Sequence, residues 1–208
     1  AGHTVAFAGH HHMLPSIEAA GFTAFATGTP DNSPPERIPL RRVDTEREDQ
    51  VMRDGFANQL ARSRARDILA ISAQWHPDMI VCDEVDFGAV IAAEKLELPY
   101  AAVIVIAEGS FIRKELVSEA LNNVRAEFDL PPDPDLSMLS RYLVLSPAPP
   151  SYRNPKYPLP ATAHSLHPLP DAKTEGTLPV WFADMPAVPT IYFTLGTVFP
   201  LESGDLFQ

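Results

Sequence analysis

Apolar positions along the chain change their spacing repeatedly, and each spacing predicts one kind of element. Short apolar runs bounded by turn residues predict buried strands, while apolar residues three and four positions apart predict helices. The predicted strands are Thr4–Ala8, Phe22–Ala26, Met79–Cys82, Tyr100–Ile106, Tyr142–Leu145 and an edge strand around Thr162–Leu166. The predicted helices are Leu14–Ala20, Val51–Ala73, Phe87–Leu96, Phe111–Phe128 and a short one near Leu136–Ser140.

The alternation of strands and helices predicts the fold class. Strand–helix–strand units cross over with a right hand and build parallel sheets. We therefore expect an α/β fold over residues 1–170, a Rossmann-like parallel sheet with helices on both faces. Thr29–Gln50 is polar and rich in proline, which predicts a long surface loop.

The two ends of the chain carry a different pattern. A strand follows almost at once after Ala1, and an apolar strand at Thr190–Leu195 leads into Gly196 and Thr197 shortly before the chain stops. A strand of this kind needs neighbours on both faces to be stable. We therefore expect that the chain begins inside one domain and ends inside another, and that it is a fragment of an enzyme.

Composition removes several classes of partner. A net charge of -11 disfavours nucleic acid, whose phosphates require an excess of Lys and Arg. No apolar run approaches the roughly 20 residues that a membrane helix needs, so we expect no membrane partner. The single cysteine, Cys82, fits a reducing compartment and predicts a cytoplasmic protein.

Asp83 is the sharpest candidate for chemistry, because it follows the apolar strand Met79–Cys82 at its carboxyl end, where parallel sheets bind ligands. A carboxylate in this place can orient a catalytic imidazole and stabilise the imidazolium. It can equally cap the next helix or bind loop amides. A third interpretation is a hard-cation site formed with Glu84 and Asp86, although Asp86 is the predicted N-cap of the helix from Phe87.

Other conspicuous side chains have plainer interpretations. His10, His11 and His12 are expected to be solvated loop residues, since no second ligand group lies at a metal-binding spacing. Cys82 is expected to be an inert buried thiol. The run Arg62, Arg64 and Arg66 is interpreted as a solvated helix face rather than a basic binding patch.

Several segments resemble one family when taken in order. They are Gly2–Phe7, Glu18–Phe22, Pro77–Asp83, Leu178–Trp181 and Pro189–Thr197. The chain resembles GT-B glycosyltransferases, and most of all the bacterial natural-product enzymes of the UDP-glucuronosyltransferase-like family. The resemblance covers essentially the whole chain, and Pro189–Thr197 is its most specific part.

The resemblance implies three regions: residues 1–170 as an acceptor-binding amino-terminal domain without its first strand and helix, residues 171–188 as a linker, and residues 189–208 as the start of a nucleotide-sugar domain. It implies inverting transfer of a sugar from a nucleotide diphosphate to a hydroxyl of a small apolar acceptor, with no metal or cofactor. A His after the family's first strand is the general base, and an Asp that matches Asp83 orients it. That His has no counterpart here, so the isolated chain is expected to be inactive.

The resemblance also suggests binding residues. Gly196 and Thr197 match the loop that approaches the donor diphosphate. Phe87, Glu108 and Phe111 are the candidate acceptor wall, although both phenylalanines could instead belong to the core. Two alternatives stay open: another GT-B enzyme such as a nucleotide-sugar epimerase, and a non-catalytic domain that binds a small molecule. The expected partners are a nucleotide sugar and a small-molecule acceptor, with no prediction of the oligomeric state.

Overall fold

The computed structural model of the chain describes residues 2–30, 38–39, 42–106, 111–167, 180–186 and 188–191. The chain divides into two compact units. The first comprises Ala1–Asp31 and Asp44–His167, and the second comprises Asn32–Val43 and Pro168–Gln208. Nearly all described elements belong to the first unit.

The first unit alternates strands and helices as the hydrophobic pattern predicts. Its strands are β1 (Ala6–His10), β2 (Thr23–Thr27), β3 (Ile80–Asp83), β4 (Tyr100–Val103), β5 (Leu143–Ser146) and β6 (Ala163–Ser165). Its α-helices are α1 (Leu14–Ala19), α2 (Thr45–Gln50), α3 (Ala61–Trp75), α4 (Phe87–Lys95) and α5 (Lys114–Glu127). A π-helical segment, Val51–Leu60, joins α2 to α3, and short 3-10 turns occur at His11–Met13, Ser137–Leu139 and Pro150–Tyr152.

Each described strand and helix lies within a few residues of its predicted position, except in the predicted loop Thr29–Gln50. The last six residues of that loop form α2. The local reason is a complete start signal: the Asp44 side chain accepts a hydrogen bond from the Arg47 amide at 3.1 Å, and Glu46 and Glu48 lie in the first turn. This short exposed helix has no apolar stripe, so periodicity alone misses it.

The sheet is parallel, as expected, but it is divided. β1 pairs with β2 in a two-stranded sheet A, and β3, β4, β5 and β6 form a four-stranded sheet B in that order. Among the described residues, no ladder joins β1 to β3. Each of these two strands keeps one unpaired edge within the described part of the chain.

The hydrophobic core lies on one face of sheet B. Cys82 and Tyr100 point from the strands into a cluster formed with α3, α4 and α5. Six of the nine residues of α4 belong to this cluster. Because side chains alternate along a strand, Val81 points to the opposite face, where it is 60% exposed. Its β4 neighbour Ala101 is fully buried, so this exposure is at the outer strand β3.

A buried carboxylate organises the segment after α5. Asp133 accepts hydrogen bonds from the amide of Ser137 at 2.9 Å, from its hydroxyl at 3.0 Å and from the amide of Met138 at 2.8 Å. Burial raises the pKa of the Asp133 carboxyl, but these hydrogen bonds and the charge of Arg125 outweigh it, so the pKa lies below its ordinary value. Asp133 therefore contributes to the fold in its ionised form.

The described part of the second unit is small. Its helix α6 (Val180–Ala183) is one turn long, and the rings of Trp181 and Phe182 meet edge to face at 5.9 Å. Thr190 and Ile191 belong to no strand, and the rest of the strand predicted at Thr190–Leu195 lies outside the described residues. Among the residues that the structure describes, no helix has the length and apolar character needed to cross a membrane.

Candidate functional site

Asp83 lies at the carboxyl end of β3, as the sequence predicts, next to the unpaired edge of sheet B. Its Oδ1 accepts a hydrogen bond from the Val85 amide at 2.8 Å, and its carbonyl oxygen accepts one from the Asp86 amide at 3.2 Å. The Asp86 amide also interacts with the carboxylate and acts to lower its pKa. Asp83 thus closes a local turn after β3.

The surroundings of Asp83 disfavour its charge. Partial desolvation raises the pKa of this carboxyl above its ordinary value, and the negative charge of Asp86 acts in the same direction. The hydrogen bond from the Val85 amide and the positive charge of Arg64 oppose that rise. A carboxylate that is destabilised in this way gains from a cationic partner, which is the relationship needed to support an imidazolium.

Arg64 is the residue that the sequence interpretation missed. Its side chain is only 16% exposed, and it donates hydrogen bonds from Nε (3.1 Å) and Nη2 (2.6 Å) to Asp86 Oδ2. It also donates to the Thr27 hydroxyl. The expectation of a solvated face is therefore wrong for Arg64, although it describes Arg62 and Arg66, which both pair with Glu127 at the surface.

The spacing of the three arginines carried a signal for this difference. Arg62 and Arg66 are four positions apart and share a helix face, whereas Arg64 points away from both. Arg64 instead lies three residues after Ala61 and four before Ile68, which are core residues of α3. A charged side chain on an apolar stripe is expected to have a buried partner.

A cavity of about 270 Å3 opens near the carboxyl edge of sheet B. Ala102 and Val144, which are paired neighbours on β4 and β5, form part of its wall. Other described wall residues are Glu84, Ile104, Ile112, Lys114 and Pro158–Pro160. The wall is mostly apolar, with a carboxylate and an ammonium group at its polar points. Asp83 does not line this cavity, but the next residue, Glu84, does.

The other predicted site residues fall in different places. Phe87 is 1% exposed in the core, because it opens the almost entirely apolar helix α4, and so it forms no acceptor wall in this structure. Phe111 is half-buried and packs against the core. Glu108, Gly196 and Thr197 lie outside the described residues. Of the predicted acceptor residues that the structure describes, Phe111 is the partly exposed one.

Cys82 is buried as expected, whereas the histidines do not lie in a loop: His10 ends β1, and His11 and His12 belong to a 3-10 turn. The rings of His10 and His12 stack at 5.9 Å at the end of β1, and both residues are exposed. Cys82 is buried, and burial raises the pKa of its thiol far above the ordinary value, which keeps it protonated. Among the described residues, no three His, Cys, Asp or Glu side chains are grouped so that they could hold a metal ion.

Comparison with known proteins assigns the family. Residues 1–196 match the sequence profile of the erythromycin biosynthesis protein CIII-like N-terminal domain. The chain therefore belongs to this family. The comparison with curated proteins gives no match.

Solved structures agree with the fold. The chain is similar to the spinosyn forosaminyltransferase SpnP, with 18% identity, a TM-score of 0.58, and coverage of 90% of this chain and 49% of that one. It is also similar to the glycosyltransferase SsfS6 of Streptomyces sp. SF2575, with 20% identity, a TM-score of 0.59, and coverage of 88% and 51%. It is similar as well to the glycosyltransferase VinC in complex with DTDP, with 22% identity, a TM-score of 0.58, and coverage of 90% of this chain and 51% of that one.

These comparisons confirm the resemblance to bacterial natural-product glycosyltransferases and the α/β parallel fold. The chain spans about half the length of the solved structures that it matches.

Proposed function

We propose that this chain is part of a longer glycosyltransferase, which transfers a sugar from a nucleotide diphosphate to a hydroxyl of a small, largely apolar acceptor with inversion. The observation that carries the proposal is the exposed carboxylate of Asp83, at the carboxyl end of β3 in a family member and next to the unpaired edge of sheet B. In the proposed mechanism Asp83 orients a histidine from a segment outside this chain, and that histidine removes the proton of the acceptor hydroxyl.

The interrupted sheet supports the presence of such a segment. In the common doubly wound order 3-2-1-4-5-6, the first strand lies between the second and the fourth. The order found here, β2 and β1 in sheet A and β3 to β6 in sheet B, matches that order with the central strand left out. We propose that a strand preceding Ala1 in the longer protein inserts between β1 and β3, and that its following helix covers the exposed side chain of Val81.

The location of that strand has a chemical consequence. A parallel strand beside β3 ends at the same edge of the sheet as β3 itself. A histidine that follows it would therefore emerge beside Asp83. This placement of base and orienting carboxylate on neighbouring strand ends is what proton removal from a hydroxyl requires.

The acceptor is proposed to bind at the cavity beside Glu84. Its largely apolar wall suits a hydrophobic aglycone. Thymidine diphosphate sugars are the first donors to test, because one relative, the rhamnosyltransferase SpnG, was solved with thymidine diphosphate and VinC with DTDP.

The test uses the full-length protein with thymidine diphosphate sugars and a panel of polyketide acceptors. Asp83→Asn is expected to lower kcat by about 100-fold or more, because the histidine loses its tautomer control, while donor affinity stays within about twofold. Asp78→Asn is the matched control, since Asp78 is an exposed carboxylate just before the same strand. Equal turnover of the two variants would refute the role of Asp83, and no transfer by the wild type with any donor would refute the activity.

A further inference from the structure

The guanidinium of Arg64 joins three parts of the first unit. From α3 it donates to the hydroxyl of Thr27 at the end of β2, to the carbonyl oxygen of Ala8 in β1 at 3.5 Å, and to Asp86 Oδ2 in the turn after β3. One turn further along α3, Asp67 accepts a hydrogen bond from the Gly28 amide at 2.8 Å. Through these contacts α3 connects sheet A to the turn that begins at Asp83.

Asp86 forms hydrogen bonds to both Arg64 and Asp83. Its Oδ2 binds Arg64, and its Oδ1 accepts a hydrogen bond from the Ala89 amide at 3.1 Å as the N-cap of α4. Its own amide donates to the Asp83 carbonyl oxygen. The side chain of Asp86 is only 11% exposed, so its carboxylate has little water to compensate for the loss of Arg64. Removal of the guanidinium would therefore release the turn.

The charges of Arg64 and Asp86 also act on Asp83. The charged groups that influence Asp83 are Asp86 in its own turn and Arg64 from α3, while β4 places the apolar Val103 beside it. Without Arg64, one of the effects that lower the pKa of Asp83 would be lost, while the hydrogen bonds from the Val85 and Asp86 amides would remain.

We propose that Arg64 is a positioning residue for the Asp83 site: its fork of hydrogen bonds to Asp86, Thr27 and Ala8 fixes the turn that carries Asp83. This inference rests on the proposed function. It assigns Arg64 no contact with substrate.

The experiment compares Arg64→Gln, Arg64→Lys and Arg66→Gln in the full-length protein, with Asp83→Asn as reference. Arg66 is the matched control, because it belongs to the same helix, carries the same charge and is 65% exposed. Two quantities are measured for each variant: the pKa of the Asp83 carboxyl by 13C NMR, assigned by its loss in Asp83→Asn, and the pH dependence of kcat/KM. Thermal unfolding verifies that each variant is folded.

Arg64→Gln is expected to raise the pKa of Asp83, to move the acid limb of the rate profile to higher pH, and to lower kcat by about tenfold. Arg64→Lys keeps the charge but lacks the planar fork, so its acid limb should stay near that of the wild type while kcat still falls. Arg66→Gln should leave both measurements unchanged.

The outcomes separate the two proposals. If Arg64→Gln and Arg66→Gln behave alike in both measurements while Asp83→Asn is inactive, the role of Arg64 is refuted and the function of Asp83 stands. If Asp83→Asn retains full turnover, the function of Asp83 is refuted and the positioning role falls with it. If Arg64→Gln does not fold, Arg64→Lys alone decides: an unchanged kcat refutes the positioning role.

Discussion

The carbonyl oxygen of Ala61 lies so close to Gly88 that a Cβ atom at residue 88 would be 2.5 Å from it. The same Cβ would lie 2.5 Å from Arg64 Cβ and 2.7 Å from the Ala65 amide nitrogen. These atoms belong to the backbone and stem of α3, which cannot move aside cheaply. Gly88 therefore sets the close approach of α3 and α4, and with it the position of the Arg64 side chain relative to Asp86.

Substitution Gly88→Ala is expected to destabilise the fold by about 2–4 kcal/mol, because the two helices must separate to admit the methyl group. Gly55→Ala is the matched control. There the new Cβ would meet only Val51 Cγ1 at 3.8 Å, an ordinary contact, and alanine favours a helical backbone. Chemical denaturation should show a loss for the first variant and no loss for the second; equal stabilities would show that the helices are not in close contact.

Asp83→Asn is expected to stabilise the fold slightly at neutral pH. The pKa of Asp83 is raised in the folded state, so its favourable contribution is complete below about pH 4 and is lost as pH rises through the folded pKa. Asparagine removes that loss and still accepts the Val85 hydrogen bond. The gain should be less than about 1 kcal/mol, because the residue is exposed.

The measurement is thermal unfolding of wild type and variant at pH 7 and at pH 3.5. The difference between them should be present at pH 7 and small at pH 3.5. Asp78→Asn serves again as the control and should show no such difference. A variant that is less stable than the wild type at pH 7 would show that the Asp83 charge is not destabilising.

Asp133 is expected to behave in the opposite way. Its pKa is depressed in the folded state, so its contribution is present above about pH 4 and is lost as pH falls through the folded value. Asp133→Asn should cost about 2–3 kcal/mol at pH 7, because an amide cannot accept from the Ser137 and Met138 donors on both sides. The cost should shrink below pH 4. Asp135→Asn, an exposed neighbour, should cost less than about 0.5 kcal/mol.

Hydrogen exchange tests the missing strand directly. The Ile80 amide donates to the carbonyl oxygen of Pro99, just before β4, and the Glu84 amide donates to that of Val103 in β4. By alternation, the amides of Val81 and Asp83 point to the unpaired edge. In the full-length protein we expect the Val81 amide to be as strongly protected as that of Cys82, whereas in the 208-residue chain it should exchange much faster. Fast exchange of Val81 in the full-length protein would refute an inserted strand at β3.

Much of the fold follows from the sequence because its signals are local. The apolar run that ends at Cys82 predicts β3, and Asp86 before the apolar stretch from Phe87 predicts a capped helix, which the structure confirms. The same local pattern is enough to predict that Asp83 lies at the end of a strand. The short helix α2 was missed because its signal is the Asp44 cap alone, without an apolar face.

The site was less predictable. Phe87 was a candidate acceptor residue because it is aromatic and near a strand end, but the direction of α4 buries it. Arg64 was grouped with Arg62 and Arg66 because adjacent arginines usually indicate a solvated surface. Helical spacing separates them, yet the spacing does not reveal that Asp86, 22 residues later, lies opposite.

The sequence by itself determined the order of strands and helices, the family, and the presence of a carboxylate at the end of β3, since each depends on residues that are close together along the chain. Only the tertiary structure decided that the sheet is divided between β1 and β3, that Arg64 links sheet A to Asp86, and that Gly88 brings α3 against α4. These are contacts between distant segments, and their existence depends on how the helices pack rather than on any local preference.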